Sequence, residues 1–289
     1  VYVIGTALSS GDLDPRRLPY AVQAFTADDL KQPSYYSVVD LLRQRAGSVT
    51  TNDAQNNRLQ PDVQFRGFTA SPLLGLSQGV AIYQNGARIN EVFGDTVNWD
   101  LLPSNSFDTM NLVAGSNPVY GLNALGGALA LKTRTGFSSQ GGSLDLTAGS
   151  YDTRDIGFTQ GGNNGTWGYF IAVEAMEEDG WRDFSQSDAT NAYGSISWHG
   201  ADQELDLFFN VGDSSLRGNG AVPLDLLNED RASVFTHPDI TENELTMASV
   251  SYRRYLDAGT ELSVNGFVRQ LEVNSFNGDG TEFEECGED

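Results

Sequence analysis

Residues 141–162 read GGSLDLTAGSYDTRDIGFTQGG, and the alternation in this stretch sets the architecture of the second half of the chain. Leu144, Leu146 and Ala148 fall on one side of an extended segment, opposite Ser143, Asp145 and Thr147. A period of two is the signature of a strand with unlike faces. The pattern returns downstream. Trp167, Tyr169, Ile171, Val173 and Ala175 share one face, and Leu205, Leu207, Phe209 and Val211 share another, opposite Glu204, Asp206 and Asn210. In a soluble sandwich the apolar face is the interior, whereas in an outer-membrane barrel it points to lipid and the polar face lines the lumen. Periodicity alone does not choose between them.

The same reading predicts seven strands, at 142–149, 153–161, 166–177, 190–199, 203–212, 246–256 and 260–272. Connections near Asn163–Gly165, Gly200–Asp202 and Asp257–Gly259 are short, while 178–189 and 213–245 are long. Outer-membrane barrels alternate short periplasmic turns with longer outer loops, and here only GSYD at 149–152 breaks that rule. Seven strands are odd in number and too few to close around a domain of about 135 residues, so the wall is incomplete.

Composition narrows the function. The 289 residues carry a formal net charge of −22, which repels polyanions and argues against nucleic acid as a partner. Only His199, His237 and Cys286 supply imidazole or thiol, so no catalytic constellation, cofactor or metal site is expected. No apolar run reaches the ~20 residues of a membrane-spanning helix. The first residues, VYVIGTALSS, lack the basic region and apolar core of a signal peptide, so none is present or it has been removed.

Upstream of Gly136 the signals are mixed. Val38, Leu41 and Leu42 have helical spacing within Ser34–Arg45, and Gly47 stands where a left-handed cap would end that helix. Asn85-Gly86, inside GVAIYQNGARIN, predicts a two-residue hairpin. MNLVAG at 110–115 leads to a further strand at Ala128–Lys132, preceded by Gly126 and Gly127. The linker composition of TGFSSQGG at 135–142 separates a small α+β domain, residues 1–137, from the antiparallel strands of 138–289.

Six segments in order give the chain a family likeness: Pro19 with VQAF at 22–25, SVVDLLRQRAG at 37–47, QFRGF at 64–68, YQNGARIN at 83–90, MNLVAGSNPVYG at 110–121 and ALGGALALKT at 124–133. Together with the hairpin of 141–162 they make the chain resemble a TonB-dependent outer-membrane receptor, a plug domain followed by the first strands of its barrel. The resemblance implies an incomplete piece of a wall of about 22 strands. It implies location in the outer membrane of a Gram-negative bacterium, in contact with its lipid. It also implies energy-coupled import of a scarce ligand, a siderophore, metal complex or other organic nutrient, driven by TonB with ExbB and ExbD from the periplasmic side.

Several residues then acquire family roles. Val1, Val3, Ile4, Gly5 and Thr6 match the end of a TonB-contacting box, or are simply the first plug strand. Arg66 beside Gly67 reads either as a plug-to-barrel latch or as a buried ion pair within the plug. The loop after Gly67 offers Phe68, Thr69, Ser71 and Leu73, and the loop after Asn90 offers Glu91, Phe93, Asp95, Asn98 and Trp99. Aromatic area combined with polar groups suits a ligand platform, and packing against the wall would use the same residues. His237, Asp239 and Glu242 form a weak metal pattern, better read as part of an ordered loop. The odd Cys286 predicts a disulfide to a cysteine beyond Asp289. Trp167, Tyr169, Trp181 and Trp198 suit the aromatic girdles of a barrel or the core of a sandwich. A non-transporting adhesin or a signal-transducing receptor on the same scaffold is the alternative function. A soluble hydrolase would need a nucleophile and base, and no GxSxG-type elbow is present.

Overall fold

The computed structural model describes residues 3–4, 12–13, 21–30, 37–53, 55–116, 120–257 and 260–278. At its start β1 (Val3–Ile4) and β2 (Asp12–Leu13) pair antiparallel. β3 (Val22–Thr26) leads into the single-turn α1 (Ala27–Leu30), and α2 (Val38–Arg45) follows. The Ser37 hydroxyl starts α2 by accepting the Asp40 N–H at 3.1 Å, satisfying one of the free donors of the first turn. Val38, Val39, Leu41 and Leu42 bury its apolar face.

The helix is shorter than the sequence suggests, with 34–36 outside the described residues, and it ends differently. Ala46 closes it in an extended conformation, and Ser48 rather than Gly47 takes the left-handed φ of 62°. The Gln23 side chain explains the change. Its Oε1 accepts the Gly47 N–H at 2.6 Å and its Nε2 donates to the Gly47 carbonyl at 3.0 Å, so a neighbouring strand holds the chain leaving the helix.

β4 (Val49–Asn52), β5 (Asp62–Phe65) and β6 (Phe68–Ala70) make a small antiparallel sheet. β7 (Val80–Gln84) and β8 (Ala87–Arg88) form the expected hairpin, with φ of 49° at Asn85 and 85° at Gly86. β9 (Phe107–Ala114) and β10 (Gly127–Thr133) complete a five-stranded sheet ordered β3-β9-β10-β7-β8, in which β10 and β7 run parallel. Gly127 is required at the entry to β10, because a Cβ there would lie 2.1 Å from the Val113 carbonyl oxygen. Leu41, Leu42, Phe65, Ile82, Phe107, Met110, Leu129 and Leu131 form the core of this half.

The second half is a seven-stranded antiparallel meander. It comprises β11 (Gly141–Ala148), β12 (Arg154–Asn163), β13 (Trp167–Glu178), β14 (Ser187–His199), β15 (Gln203–Arg217), β16 (Asp239–Asp257) and β17 (Thr260–Asn277), each paired with the next. All seven expected strands are present, but β15 runs to Arg217 and β16 begins at Asp239, well outside the expected 203–212 and 246–256. Polar residues such as Thr241, Glu242 and Asn243 still pair across this ladder, so backbone hydrogen bonding carries the sheet past its apolar band. The remaining connection holds a short helix, α3 (Leu224–Glu229), where sequence reading expected only loop.

Which way the sheet faces settles the choice that alternation left open. Leu144, Leu146, Ile156, Phe158, Tyr169, Ile171, Phe209 and Val211 point away from the first domain and are exposed. Asn191, Ser195, Ser197, Asn210, Ser214 and Asn243 are buried on the opposite face. Each outward side chain would gain ~1.5–3 kcal/mol on leaving water. Eight of them amount to roughly 12–24 kcal/mol, as large as the whole stability of a domain, so this face is built for lipid and the soluble sandwich is excluded. Trp167 and Trp198, ring centroids 6.5 Å apart, sit at the short-turn end, while Trp181 lies at the other, as two girdles require.

Candidate ligand cavity and plug anchors

The first domain sits against the polar face of the sheet through specific polar contacts. Asn57 Nδ2 donates to Ser187 Oγ at 2.8 Å and to the Arg217 carbonyl at 3.0 Å. Asn105 Nδ2 reaches the Val173 carbonyl at 2.8 Å, and Tyr193 Oη donates to the Arg134 carbonyl at 3.0 Å. Asp100 is a further buried anchor. Its Oδ2 accepts Ser214 Oγ at 2.6 Å and Asn243 Nδ2 at 2.9 Å, while its carbonyl accepts Asn191 Nδ2 at 2.8 Å. Burial pushes the Asp100 carboxyl up from its ordinary value, and the two donated hydrogen bonds only partly oppose this. Apolar contact joins the halves as well, since Leu245 and Met247 enter the same core as Phe107 and Leu129.

Among the described residues two ion pairs span the boundary. Arg269, in β17, grips both carboxylate oxygens of Glu91 at 2.9 and 2.6 Å, and both side chains are largely buried. Arg58 Nε lies 3.3 Å from Glu178 Oε2. The buried pair expected at Arg66 is not formed. Arg66 (φ 55°) and Gly67 (φ 85°) are the turn residues between β5 and β6, the Arg66 side chain is exposed, and it makes no ion pair among the described residues. The Arg-Gly dipeptide therefore serves turn geometry, and Arg58 and Arg269 are the guanidiniums that bridge the halves.

At the long-connection end of the sheet, loops 72–78, 90–98 and 122–123 and the upper parts of β16 and β17 enclose an open cavity of about 1550 Å³. Of the expected ligand residues, Leu73, Glu91, Phe93, Asp95 and Asn98 line it. The others serve the fold. The Phe68 ring packs over Gly79 and Gly126, where added Cβ atoms would come within 2.7 and 2.6 Å of its side chain. Ser71 is fully buried and donates its hydroxyl to Asp62, Thr69 pairs with Gln64, and the Trp99 indole N–H donates to the Ala70 carbonyl at 3.2 Å. Sequence reasoning missed Leu74, Leu76, Val92, Leu122, Arg88 and Arg269, which also line the cavity. One signal was available for Arg269: a lone guanidinium between Phe267 and Leu271 on one face of a strand. Asn90 shapes the loop, its Oδ1 accepting the Ile82 N–H at 2.7 Å and its Nδ2 donating to the Val80 carbonyl at 3.1 Å.

Comparison with known proteins fits this geometry. The profile of the TonB-dependent Receptor Plug Domain matches residues 14–128. Residues 14–128 are thus similar to a TonB-dependent receptor plug domain. The family is one of receptors, not of enzymes. Among solved structures the ferric citrate transporter FecA, unliganded, superimposes with a TM-score of 0.78 at 15% identity over 97% of this chain and 44% of its own. FpvA of P. aeruginosa bound to heterologous pyoverdines gives 0.72 at 13% identity over 92% and 36%. The ferric yersiniabactin uptake receptor FyuA of Yersinia pestis gives 0.72 at 14% over 90% and 42%. These likenesses establish the fold, a plug followed by antiparallel barrel strands. The chain spans less than half the length of these receptors. No curated protein matches the sequence.

The other expected residues are placed as follows. Val3 and Ile4 of the plug pair with Leu13 and Asp12, whereas Val1, Gly5, Thr6 and Cys286 lie outside the described residues. No cluster able to hold a metal ion occurs among the described residues. His237 instead stacks on Phe184 with centroids 4.0 Å apart, joining the two long connections.

Proposed function

We propose that this plug and sheet are the first part of an energy-coupled outer-membrane receptor of a Gram-negative bacterium, importing a scarce siderophore, metal complex or other organic ligand. The observation that carries the reading is a lipid-facing sheet wrapped around a domain that occupies its polar side. A plug so placed blocks the lumen, so passage requires it to rearrange. Residues 1–137 act as the gate and 138–289 as the opening of the wall. Glu91, Phe93, Asp95 and Asn98 meet the ligand at the outer end, where the long connections lie. Val1, Val3, Ile4, Gly5 and Thr6 offer an extended segment to TonB, which with ExbB and ExbD transmits the inner-membrane gradient. Strand pairing by backbone groups is the chemistry suited to that contact.

The test begins with the intact mass of the protein extracted from the outer membrane. A value of roughly 70 to 100 kDa, enough for about 22 strands and a plug, is expected. Ligand accumulation by cells should then stop on adding a protonophore while surface binding persists. Ile4→Pro should reproduce that separation of binding from uptake. Accumulation indifferent to the gradient would refute energy coupling.

A further inference from the structure

Asp100 joins the plug to three successive strands of the wall, and its hydrogen bonding is one-sided. Oδ2 accepts from Ser214 of β15 and Asn243 of β16, while Oδ1 is buried and makes no hydrogen bond among the described residues. The amides around it repeat the shortage. Asn191 of β14 gives its Nδ2 to the Asp100 carbonyl and Asn243 gives its Nδ2 to Oδ2, which fixes both amide orientations and leaves Asn191 Oδ1 and Asn243 Oδ1 buried without a donor. Asp100, Asn191, Ser214 and Asn243 are each exposed by 5% or less. Three buried acceptors with no donor to spare are a shortage that folded proteins seldom leave unfilled.

The charge of an ionised Asp100 is no better provided for. β14, β15 and β16 meet it with neutral groups, Asn191, Ser214 and Asn243. A small cavity of about 40 Å³ lies beside it, and the other charged residues lining that cavity are Asp40 of α2, Arg58 of the loop before β5, Asp155 of β12 and Glu174 of β13. Three of these four are acids, and Arg58 is paired with Glu178 at 3.3 Å. A carboxylate in such surroundings neutralises in preference to staying charged, and burial does push the Asp100 carboxyl up from its ordinary value. A proton on Oδ1 meets both needs. It removes the charge and turns an orphan acceptor into a donor, beside amide oxygens that lack one.

We propose that Asp100 is a proton-binding site in the joint between plug and wall, a neutral acid while the joint is closed, and that lifting residues 99–102 off the wall releases the proton. The acid O–H bond breaks, the proton passes to water entering the joint, and the electron pair stays on the carboxylate, which that water solvates. The closed joint thus holds one proton more than the open one, so rising pH favours opening. The inference concerns the joint itself and does not depend on what the receptor carries.

Hydrogen exchange of the backbone amides of 102–107, in the full-length receptor held in lipid bilayers, reads the opening. Dividing the rates of the parent by those of Asp100→Asn cancels the intrinsic pH dependence of exchange. That ratio should rise about fivefold in all as pH climbs from about 4, at no point faster than about tenfold per unit, the limit for one proton, and then level off. The infrared band of a protonated carboxyl should be present in the parent, absent from Asp100→Asn, and fade over the same range. Ser214→Ala keeps the acid but removes a donor that favours its charged form, so measured against the parent it should carry the rise to higher pH, and it serves where Asp100→Asn does not fold. A flat ratio, absence of the band wherever the receptor is folded, or a rise that Ser214→Ala leaves in place would each overturn the inference. A carboxylate kept ionised by water in the cavity gives the first two. None of these results bears on gradient-dependent uptake, which tests the receptor function separately.

Discussion

The five-stranded plug sheet and the seven-stranded barrel sheet use the same twenty side chains under opposite rules. In β7 of the plug, Val80, Ala81, Ile82, Tyr83 and Gln84 are all buried, because protein covers both faces. In β13 of the barrel, Trp167, Tyr169, Ile171 and Val173 are exposed, while Gly168, Phe170 and Ala172 between them are buried. The plug sheet hides its apolar residues from water, and the barrel sheet presents them to a second solvent. An alternating pattern therefore identifies two unlike faces without saying which is inside. That assignment comes from what stands on the polar side, here a plug reaching across with Asn57, Asp100 and Asn105.

The contrast is broken most forcefully by removing one large ring from each sheet. Phe107 is fully buried in the plug core, so Phe107→Ala loses both the transfer energy and the energy of the cavity left behind, about 3–5 kcal/mol. Phe158 faces outward on β12, where lipid refills the space, so Phe158→Ala should lose only the transfer part, ~1–2 kcal/mol. Denaturant unfolding of the receptor in lipid bilayers measures both. Equal losses would mean that protein covers the outer face of β12.

A charge sharpens the same comparison. Ile171→Arg places a guanidinium on the lipid face and should destabilise by about 2–4 kcal/mol near the membrane midplane. The neighbouring inward positions tolerate polar atoms already, as Ser195 and Ser197 show on the adjoining strand. A loss below about 0.5 kcal/mol, the usual range for a water-exposed site, would contradict a lipid-facing β13.

Where the information is local, the sequence was sufficient. Seven strands, the Asn85-Gly86 hairpin and the helix around Leu41 follow from alternation, turn chemistry and helical spacing, each settled within a few residues. The failures have non-local or competing causes. α3 is six residues long, too short for a periodic signal. The extensions of β15 and β16 run through polar residues whose pairing depends on neighbours elsewhere in the chain. Gly47 was passed over as a cap because Gln23, in a distant strand, supplies the bonds. In the ligand loops, composition pointed to the right segment after Asn90 but did not separate Phe93, which is exposed, from Trp99, which is buried. Arg66 looked functional as a guanidinium beside a glycine, yet its backbone makes the turn. Its supposed partner role belongs to Arg269, whose contact with Glu91 joins residues 178 positions apart.

That exchange of roles predicts a clear difference. Arg269→Gln leaves the largely buried Glu91 with only the weak contact from Asn98 at 3.5 Å, and should lower stability by about 1.5–3 kcal/mol, the range for hydrogen bonds to charged groups. It should also open loop 90–98 to protease. Arg66→Gln, at an exposed turn, should stay within about 0.5 kcal/mol of the parent. The reverse ranking would restore Arg66 as the latch.

The smallest expected effect concerns Asp100, where plug and wall meet without exposure to either lipid or bulk water. Its carboxyl titrates above the ordinary value of 3.8 because burial disfavours the charge. Below pH ~3.8 the folded and unfolded chains both carry the proton, so this group adds no pH dependence there. As pH rises further the unfolded chain releases its proton first, and the folded state, binding more protons, loses stability until its own carboxyl ionises. Asp100→Asn has no proton to lose, and its side-chain oxygen can still accept from Ser214 and Asn243. The variant should therefore gain on the parent as pH climbs from about 4 toward neutrality, by on the order of 1 kcal/mol, the scale of a single hydrogen bond. Asp40, Arg58, Asp155 and Glu174 line the neighbouring cavity and are present in both proteins, so the difference between the two pH profiles isolates Asp100. Parallel profiles would show that the carboxyl meets the wall already ionised, held by Ser214 and Asn243 strongly enough to offset its burial.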